Sequence, residues 1–106
     1  MIPRAERLPV RGERRKPFHI SRTQYFTVKV FPPGSTKTRF AILVGKSVFR
    51  EATKRNRLKR VLAKTMRAVH VGRSPVDILV IALPHSGKDS ETEILGELTR
   101  ALRAIP

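Results

Sequence analysis

Residues 39–67 of the chain read RFAILVGKSVFREATKRNRLKRVLAKTMR. The stretch opens with an apolar run over residues 39–44 that is typical of a strand. After a turn, mostly apolar side chains recur at the i, i+3, i+4, i+7, i+11 spacing of a buried helical stripe. They are Leu58, Val61, Leu62, Thr65 and Val69. The sequence therefore predicts a strand followed by a helix that begins between residues 47 and 53 and ends between residues 69 and 72.

The predicted helix carries a dense positive charge. Its first turns contain Lys54-Arg55-Asn56-Arg57-Leu58-Lys59-Arg60, in which five of seven residues are permanently cationic. At 100° per residue, Lys59 lies at the border of the apolar stripe and Arg55 lies nearer to it. The opposite side holds Asn56, Arg57, Arg60, Lys64 and Arg67. These charges have almost no acid four residues away, so they repel one another and favour a polyanionic ligand over a merely solvated surface.

The whole chain shares this imbalance. It has 106 residues, about the length of one compact domain, with a net charge of +15 and a pI near 11.7. Residues 1–73 hold 20 lysines and arginines and three acids, whereas residues 74–106 hold three and five. We therefore expect a nucleic acid to lie against the first two-thirds of the chain; an acidic protein partner is a weaker alternative. A membrane is disfavoured because no amphipathic segment sets lysine or arginine opposite tryptophan or phenylalanine.

Composition also bounds the chemistry of the chain. There is no cysteine, which rules out disulfides, thiolate catalysis and thiolate metal sites. The three histidines form no ligand-spaced pair, and no apolar run resembles a signal peptide or a membrane span. Gly45-Lys46-Ser47 resembles the end of a P-loop, but Phe40 stands where that motif requires glycine. We expect a cytoplasmic protein without a small-molecule substrate, a metal site or catalytic side chains of its own.

The rest of the chain predicts one domain over residues 17–106, preceded by a basic, irregular arm over residues 1–16. Strands are expected over residues 17–21, 24–31, 39–44 and 76–83. Ser90-Glu91-Thr92-Glu93 matches a capping box, and a second amphipathic helix is predicted from the spacing of Ile94, Leu95, Leu98, Ala101, Leu102 and Ile105. The second and third strands are expected to pair as an antiparallel hairpin, with the third central and the fourth buried on both faces. Two helices on one face of a four-stranded sheet make a two-layer α/β sandwich of the α+β class.

These elements resemble a known family. Val44-Gly45-Lys46 followed by Arg55-Asn56-Arg57-Leu58-Lys59-Arg60 is similar to the signature of the bacterial ribonuclease P protein subunit. The apolar run over residues 76–82 and the closing helix are similar to that family's last strand and helix, so the likeness covers roughly residues 18–104. It implies a left-handed strand–helix–strand crossover, against the usual right-handed rule. It also implies that the chain partners a large catalytic RNA that removes the 5′ leader of precursor tRNA.

The resemblance implies roles for individual residues. In this family the RNA performs the hydrolysis with bound Mg²⁺, and the Arg-Asn-Arg helix of the protein docks on that RNA. From this motif and from the cationic side of its helix, the expected contacts to the catalytic RNA are Lys54, Arg55, Asn56, Arg57, Arg60, Lys64 and Arg67. The expected contacts to the leader of precursor tRNA, along a cleft between the sheet and this helix, are Phe18, Lys29, Lys46 and Lys59.

The sequence departs from the family at two places. Ala63-Lys64 stands where the family usually has Arg-Glu. The N-terminal helix of the family is expected to be shortened or absent, because Pro9 and Gly12 interrupt a short stretch. The alternatives are a ribosomal or other structural RNA-binding protein with no role in cleavage, a protein nuclease, and a binder of double-stranded DNA. The last is disfavoured because the basic helix has little of the Asn, Gln and Ser surface used for base readout.

Overall fold

The computed structural model describes residues 4–9, 15–70 and 73–106. Within these ranges the chain forms four strands, two main helices and two short 3-10 turns. The strands are β1 (His19–Arg22), β2 (Phe26–Phe31), β3 (Arg39–Leu43) and β4 (Asp77–Ala82), and the helices are α1 (Ala52–His70) and α2 (Glu91–Arg103). The 3-10 turns are Arg4–Glu6 and Pro84–Gly87. Residues 71 and 72, the last positions at which the first helix was expected to end, lie outside the described residues.

The four strands form one mixed sheet in the order β1-β2-β4-β3. β2 pairs antiparallel with both β1 and β4, whereas β3 pairs parallel with β4, as expected for the ends of a strand–helix–strand crossover. The predicted hairpin between β2 and β3 is therefore wrong, as is the central place given to β3. β4 takes that place because its nearly continuous apolar sequence can be buried on both faces of the sheet, while β3 lies at the edge.

Both helices pack on the same face of the sheet, which confirms the predicted two-layer α+β sandwich. The sheet contributes every second residue of its two central strands to this layer: Phe26, Val28, Val30, Ile78, Val80 and Ala82. The helices contribute residues four apart: Leu58, Leu62 and Met66 from α1, and Ile94, Leu98 and Leu102 from α2. The buried line of α1 runs through Met66, whereas Val61, Thr65 and Val69 of the predicted stripe are half-buried.

The opposite face of the sheet is partly covered by the N-terminal segment. Leu8 is buried there against Phe31, Ala41 and Leu79. Its backbone amide donates to Phe40 O at 2.8 Å, and Arg7 forms a parallel bridge with Phe40. The N-terminal segment begins with the 3-10 turn Arg4–Glu6. The helix expected to be shortened or absent falls between residues 8 and 18, and residues 10–14 of that stretch lie outside the described residues. The left hand of the crossover and the division of the chain at residue 16 stay predictions.

A buried carboxylate joins three segments at one end of the sheet. Asp77, fully buried at the start of β4, accepts from Arg39 Nε at 3.0 Å and Arg39 Nη2 at 2.7 Å. It also accepts from Arg15 Nη2 at 2.7 Å and from the Gly34 amide at 3.2 Å. Burial alone would raise the pKa of Asp77, but the hydrogen bonds and charges of the two arginines outweigh it and hold the pKa below its ordinary value. Asp77 is therefore ionised at neutral pH.

Replacing Asp77 with Asn should destabilise the protein by about 3 kcal/mol, because two arginines would lose their buried counter-charge. The matched control is Glu97→Gln, which breaks the exposed Arg100–Glu97 pair and should cost less than about 1 kcal/mol. Urea unfolding of both variants measures the difference. Equal, small losses in the two variants would show that the Asp77 cluster does not hold the sheet together.

His70, at the end of α1, is a buried histidine. Its Nε2 lies 3.2 Å from Ser74 O, and because a carbonyl oxygen only accepts, Nε2 carries the proton. Nδ1 is buried, and within the described ranges it has no hydrogen-bond partner. Burial lowers the pKa of His70 below its ordinary value; the bond to Ser74 opposes this shift, and the charge of Arg73 adds to it. The folded protein therefore favours a neutral imidazole.

The stability of the protein should fall as the pH drops below about 6.5, because the unfolded chain then binds a proton at His70 that the folded chain refuses. The loss should continue down to the lowered pKa of the folded state. His70→Gln, whose amide can still donate to Ser74, should flatten this part of the curve relative to the unmodified protein. Urea unfolding between about pH 5 and pH 8 measures both. An unchanged slope in His70→Gln would contradict the assignment.

Candidate RNA interface

The outer face of α1 is an array of cations on a firmly packed helix. Burial of Leu58, Leu62 and Met66 fixes the rotation of the helix. The exposed side chains on the other side are Asn56, Arg57, Arg60, Lys64 and Arg67. These are the predicted catalytic-RNA contacts apart from Lys54 and Arg55, and the structure brings them together on one face. Over its 19 residues α1 has seven lysines and arginines and no acid.

Among the described residues, two cations of α1 form ion pairs with acids outside the helix. Lys54 lies 3.5 Å from Glu51 in an exposed pair, and Arg67 Nε donates to Glu6 at 3.1 Å. Exposed pairs of this kind contribute little and are screened by salt, so they do not neutralise the face. The array therefore presents most of its charge to solvent.

The cations in the first turns of α1 work against helix stability, although Arg67 in the last turn is favourably placed. A helix N-terminus carries a partial positive charge, and α1 has no acid in its first turn but lysine and arginine from its third residue onward. α2 shows the stabilising arrangement, with acids in its first turn and arginines in its last. The stability of α1 therefore does not explain why cations occupy its first turns.

Grooves run along both sides of α1. On one side, Arg57, Arg60 and Lys64 line a groove toward α2, where it meets Glu91 and Leu95. On the other side, helix residues including Asn56, Lys59 and Arg60 face β3 across a second groove, which we call the β3 groove. The β3 groove is also lined by Leu43 of the strand and by Arg7 and Leu8 of the N-terminal segment. Arg60 lines both grooves, so the cationic array separates two grooves of positive character.

The predicted leader contacts lie in three places. Lys59 lines the β3 groove, and Lys46 is exposed in the turn that follows β3. Lys29, half-buried, projects from β2 on the sheet face opposite the helices, in the same row as Leu79. Phe18 is 49% exposed just before β1, and its amide donates to Val30 O at 2.9 Å. Lys59 and Lys46 thus lie near the end of β3, Lys29 lies on the open sheet face, and Phe18 precedes β1 at the far edge of the sheet.

Three further exposed residues near these positions were not predicted from the sequence. Ile20 and Leu43 are 39% and 43% exposed, and the strand register places them on the open face in the rows of Lys29 and Ile81. Arg22 is exposed in the row of Leu43. Alternation along β1 could have indicated Ile20 and Arg22, but that strand is short. The placement of Leu43 depends on which strand it pairs with, which local sequence did not reveal.

Arg55 differs from its neighbours in the motif. Its side chain is half-buried, and its Nη1 donates to the backbone carbonyls of Phe49 at 3.0 Å and Arg50 at 2.6 Å. This agrees with its position near the apolar stripe of the helical pattern. The guanidinium is turned toward the chain that precedes α1, away from the outer face.

The described ranges contain no group of three or more histidine, aspartate or glutamate side chains that could hold a metal ion. In the same ranges, neither main helix is both long and apolar enough to cross a membrane. The cations of the interface are therefore its principal chemical feature.

Comparison with known proteins places the chain in a family. A family model described as Ribonuclease P matches residues 14–106. A search of curated protein sequences gives no match. Among solved structures, the RNase P protein of Thermotoga maritima is 25% identical, with 95% of this chain and 98% of that one covered and a TM-score of 0.75.

The RNase P protein of Staphylococcus aureus has the same fold, with 23% identity, 80% of this chain and 78% of that one covered, and a TM-score of 0.72. The match to the family model spans all four strands and both main helices. The chain therefore belongs to the Ribonuclease P family.

Proposed function

We propose that this chain is the protein subunit of a ribonuclease P whose catalyst is RNA. It binds the catalytic RNA through the outer face of α1 and guides the 5′ leader of precursor tRNA, so that the leader is removed by Mg²⁺-dependent hydrolysis. The observation that carries the proposal is the acid-free cationic face of a helix whose inner face is locked in the core. That charge disfavours the free helix, and a polyanion would compensate it.

The cations of α1 suit a phosphate backbone. The planar guanidinium groups of Arg57 and Arg60 can each donate two parallel hydrogen bonds to phosphate oxygens, while Lys64 acts as a more diffuse charge. Because the helix is packed before the RNA arrives, little backbone order has to be created on binding. Each phosphate contact releases condensed counterions, so affinity should depend steeply on salt.

The leader is proposed to run from the β3 groove onto the open sheet face. A single strand needs cations beside its phosphates and apolar surface beside its bases. Lys59 and Lys46 supply charge near the end of β3, and Lys29 supplies it on the open face. Phe18 and Ile20 supply exposed apolar surface at the β1 side. In this proposal the Mg²⁺ ions are held mainly by the RNA, where they activate the attacking water and stabilise the leaving oxygen.

Replacing Arg57 and Arg60 together with Ala should weaken binding to the catalytic RNA and flatten its salt dependence. Each lost phosphate contact removes about 0.7–0.9 from the slope of log affinity against log salt, so the double variant should lose roughly 1.5. Arg103→Ala is the matched control, since it removes one exposed cation from α2. Filter binding across a salt series measures the slope. A slope equal to that of the unmodified protein would exclude the outer face of α1 as the RNA contact.

The protein should rescue cleavage of precursor tRNA by its catalytic RNA at low Mg²⁺, where the RNA alone is weak, because protein cations replace part of the metal's screening. The Arg57/Arg60 double variant should need more Mg²⁺ for the same rate. Single-turnover cleavage over a Mg²⁺ series measures both. Unchanged cleavage on adding the protein, with ribosomal RNA as the species that copurifies with it, would instead support a structural RNA-binding protein.

A further inference from the structure

We infer that Arg55 is a positioning residue, which fixes the turn over residues 45–50 and thereby orients Lys46 toward the leader, and that it does not bind phosphate. The inference rests on the proposed function, because the direction of Lys46 matters only if RNA passes there. It gives the two arginines of one Arg-Asn-Arg motif different roles. Arg57 faces the RNA, and Arg55 fixes the backbone of the turn that precedes α1.

The hydrogen bonds of Arg55 carry the first step. Nη1 has two hydrogens, and the two bonds to Phe49 O and Arg50 O use both. A fork of Nη1 and Nη2 onto phosphate would need this nitrogen, so that fork competes with the two bonds to the turn. Arg57, two residues further on, is exposed on the outer face, whereas Arg55 is half-buried.

The turn itself explains why it needs such a partner. The amides of Val48 and Phe49 both donate to Gly45 O, at 3.1 and 3.5 Å, so residues 45–49 form a single helical turn. Carbonyls at the end of such a turn have no partner within it and carry partial negative charge. The cationic donor of Arg55 satisfies two of them. Lys46 lies within this turn, so its backbone position follows from the same bonds.

A second contact holds the turn from its other side. A Cβ built on Gly87, in the 3-10 turn Pro84–Gly87, would lie 2.5 Å from Val48 O, so the two backbones are in close contact. Val48 and Phe49 are half-buried and pack against the main core. The turn is therefore held between Arg55 on α1 and the segment that follows β4. Losing the Arg55 bonds frees the side of the turn that faces α1.

Arginine is required for this role because of its reach. Lysine keeps the charge, but its side chain is one bond shorter, so from the same backbone position it would not place its nitrogen where Nη1 meets both carbonyls. A residue that binds phosphate by charge would tolerate this change better than a residue that bridges two carbonyls. Arg55→Lys therefore distinguishes the two roles, and Arg57→Lys and Arg57→Ala are the matched comparisons.

The first measurement is hydrogen exchange of the free protein. In Arg55→Lys the amides of Val48 and Phe49 should exchange about tenfold faster, as expected for the loss of a charge-assisted hydrogen bond worth roughly 1.4 kcal/mol. Arg57→Lys should leave both amides unchanged. Circular dichroism confirms that each variant is folded, and Arg55→Lys provides the test even if Arg55→Ala does not fold.

The second measurement uses the complex with the catalytic RNA. The contribution of the leader is the ratio of affinities for precursor and mature tRNA; Arg55→Lys and Lys46→Ala should each lower it about tenfold. The double variant should lose no more than either single variant, because both act through one contact. The salt slope for binding the catalytic RNA should change far less in Arg55→Ala than in Arg57→Ala.

The inference would be overturned if Arg55→Lys showed normal exchange and a normal leader ratio while Arg55→Ala flattened the salt slope as Arg57→Ala does. Arg55 would then be a direct phosphate contact. Additive losses in the double variant would also overturn it. If Arg57→Ala left RNA binding unchanged, the proposed function itself would fail, and the exchange data on the turn would be unaffected.

Discussion

The packing of three side chains, Leu58, Leu62 and Met66, determines what this protein presents to a partner. They are buried at four-residue intervals against the sheet, so α1 can adopt one rotation only. A turn of the helix by one residue, about 100°, would push cations into the core, where unpaired charge is prohibitive. The outward direction of Arg57 and Arg60 is therefore a consequence of apolar burial, although neither arginine takes part in it.

The rest of the fold follows the electrostatic preferences from which the start of α1 departs. α1 violates the preference of helix N-termini for acids, while α2 follows it, and β4 satisfies its one buried acid with arginines from two other segments. Departures from local preference concentrated in one element, within an otherwise consistent structure, are characteristic of sites shaped by a ligand.

Features set by local pattern could be predicted from the sequence. The bounds of both helices, the capping serine whose Oγ accepts from Glu93 N at 3.3 Å, and the doubly buried β4 all follow from spacing within a few residues. The strands that β2 and β3 pair with could not be predicted, because their apolar patterns would fit either each other or β4. The outcome depended on β4, which follows β3 by more than 30 residues.

In the candidate site, too, the features set by local pattern could be predicted and those set by distant parts of the chain could not. The grouping of Arg57, Arg60 and Lys64 follows from helical geometry and was predicted. The position of Arg55 near the apolar stripe of the helix indicated that its side chain turns inward. Its hydrogen-bond partners could not be predicted, because they are backbone carbonyls outside the helix. Nothing in the local sequence indicated that Leu8 lines the β3 groove, since an isolated leucine beside a proline belongs to no helical or strand pattern.

The contact between Leu8 and Phe40 has a consequence for solubility. β3 is an edge strand, and an open edge offers its backbone donors and acceptors to any other extended chain. Residues 7 and 8 occupy part of that edge. The far edge, β1, is only four residues long and ends in Arg22. A short, charged edge on one side and a partly covered edge on the other discourage edge-to-edge strand pairing between copies of this chain.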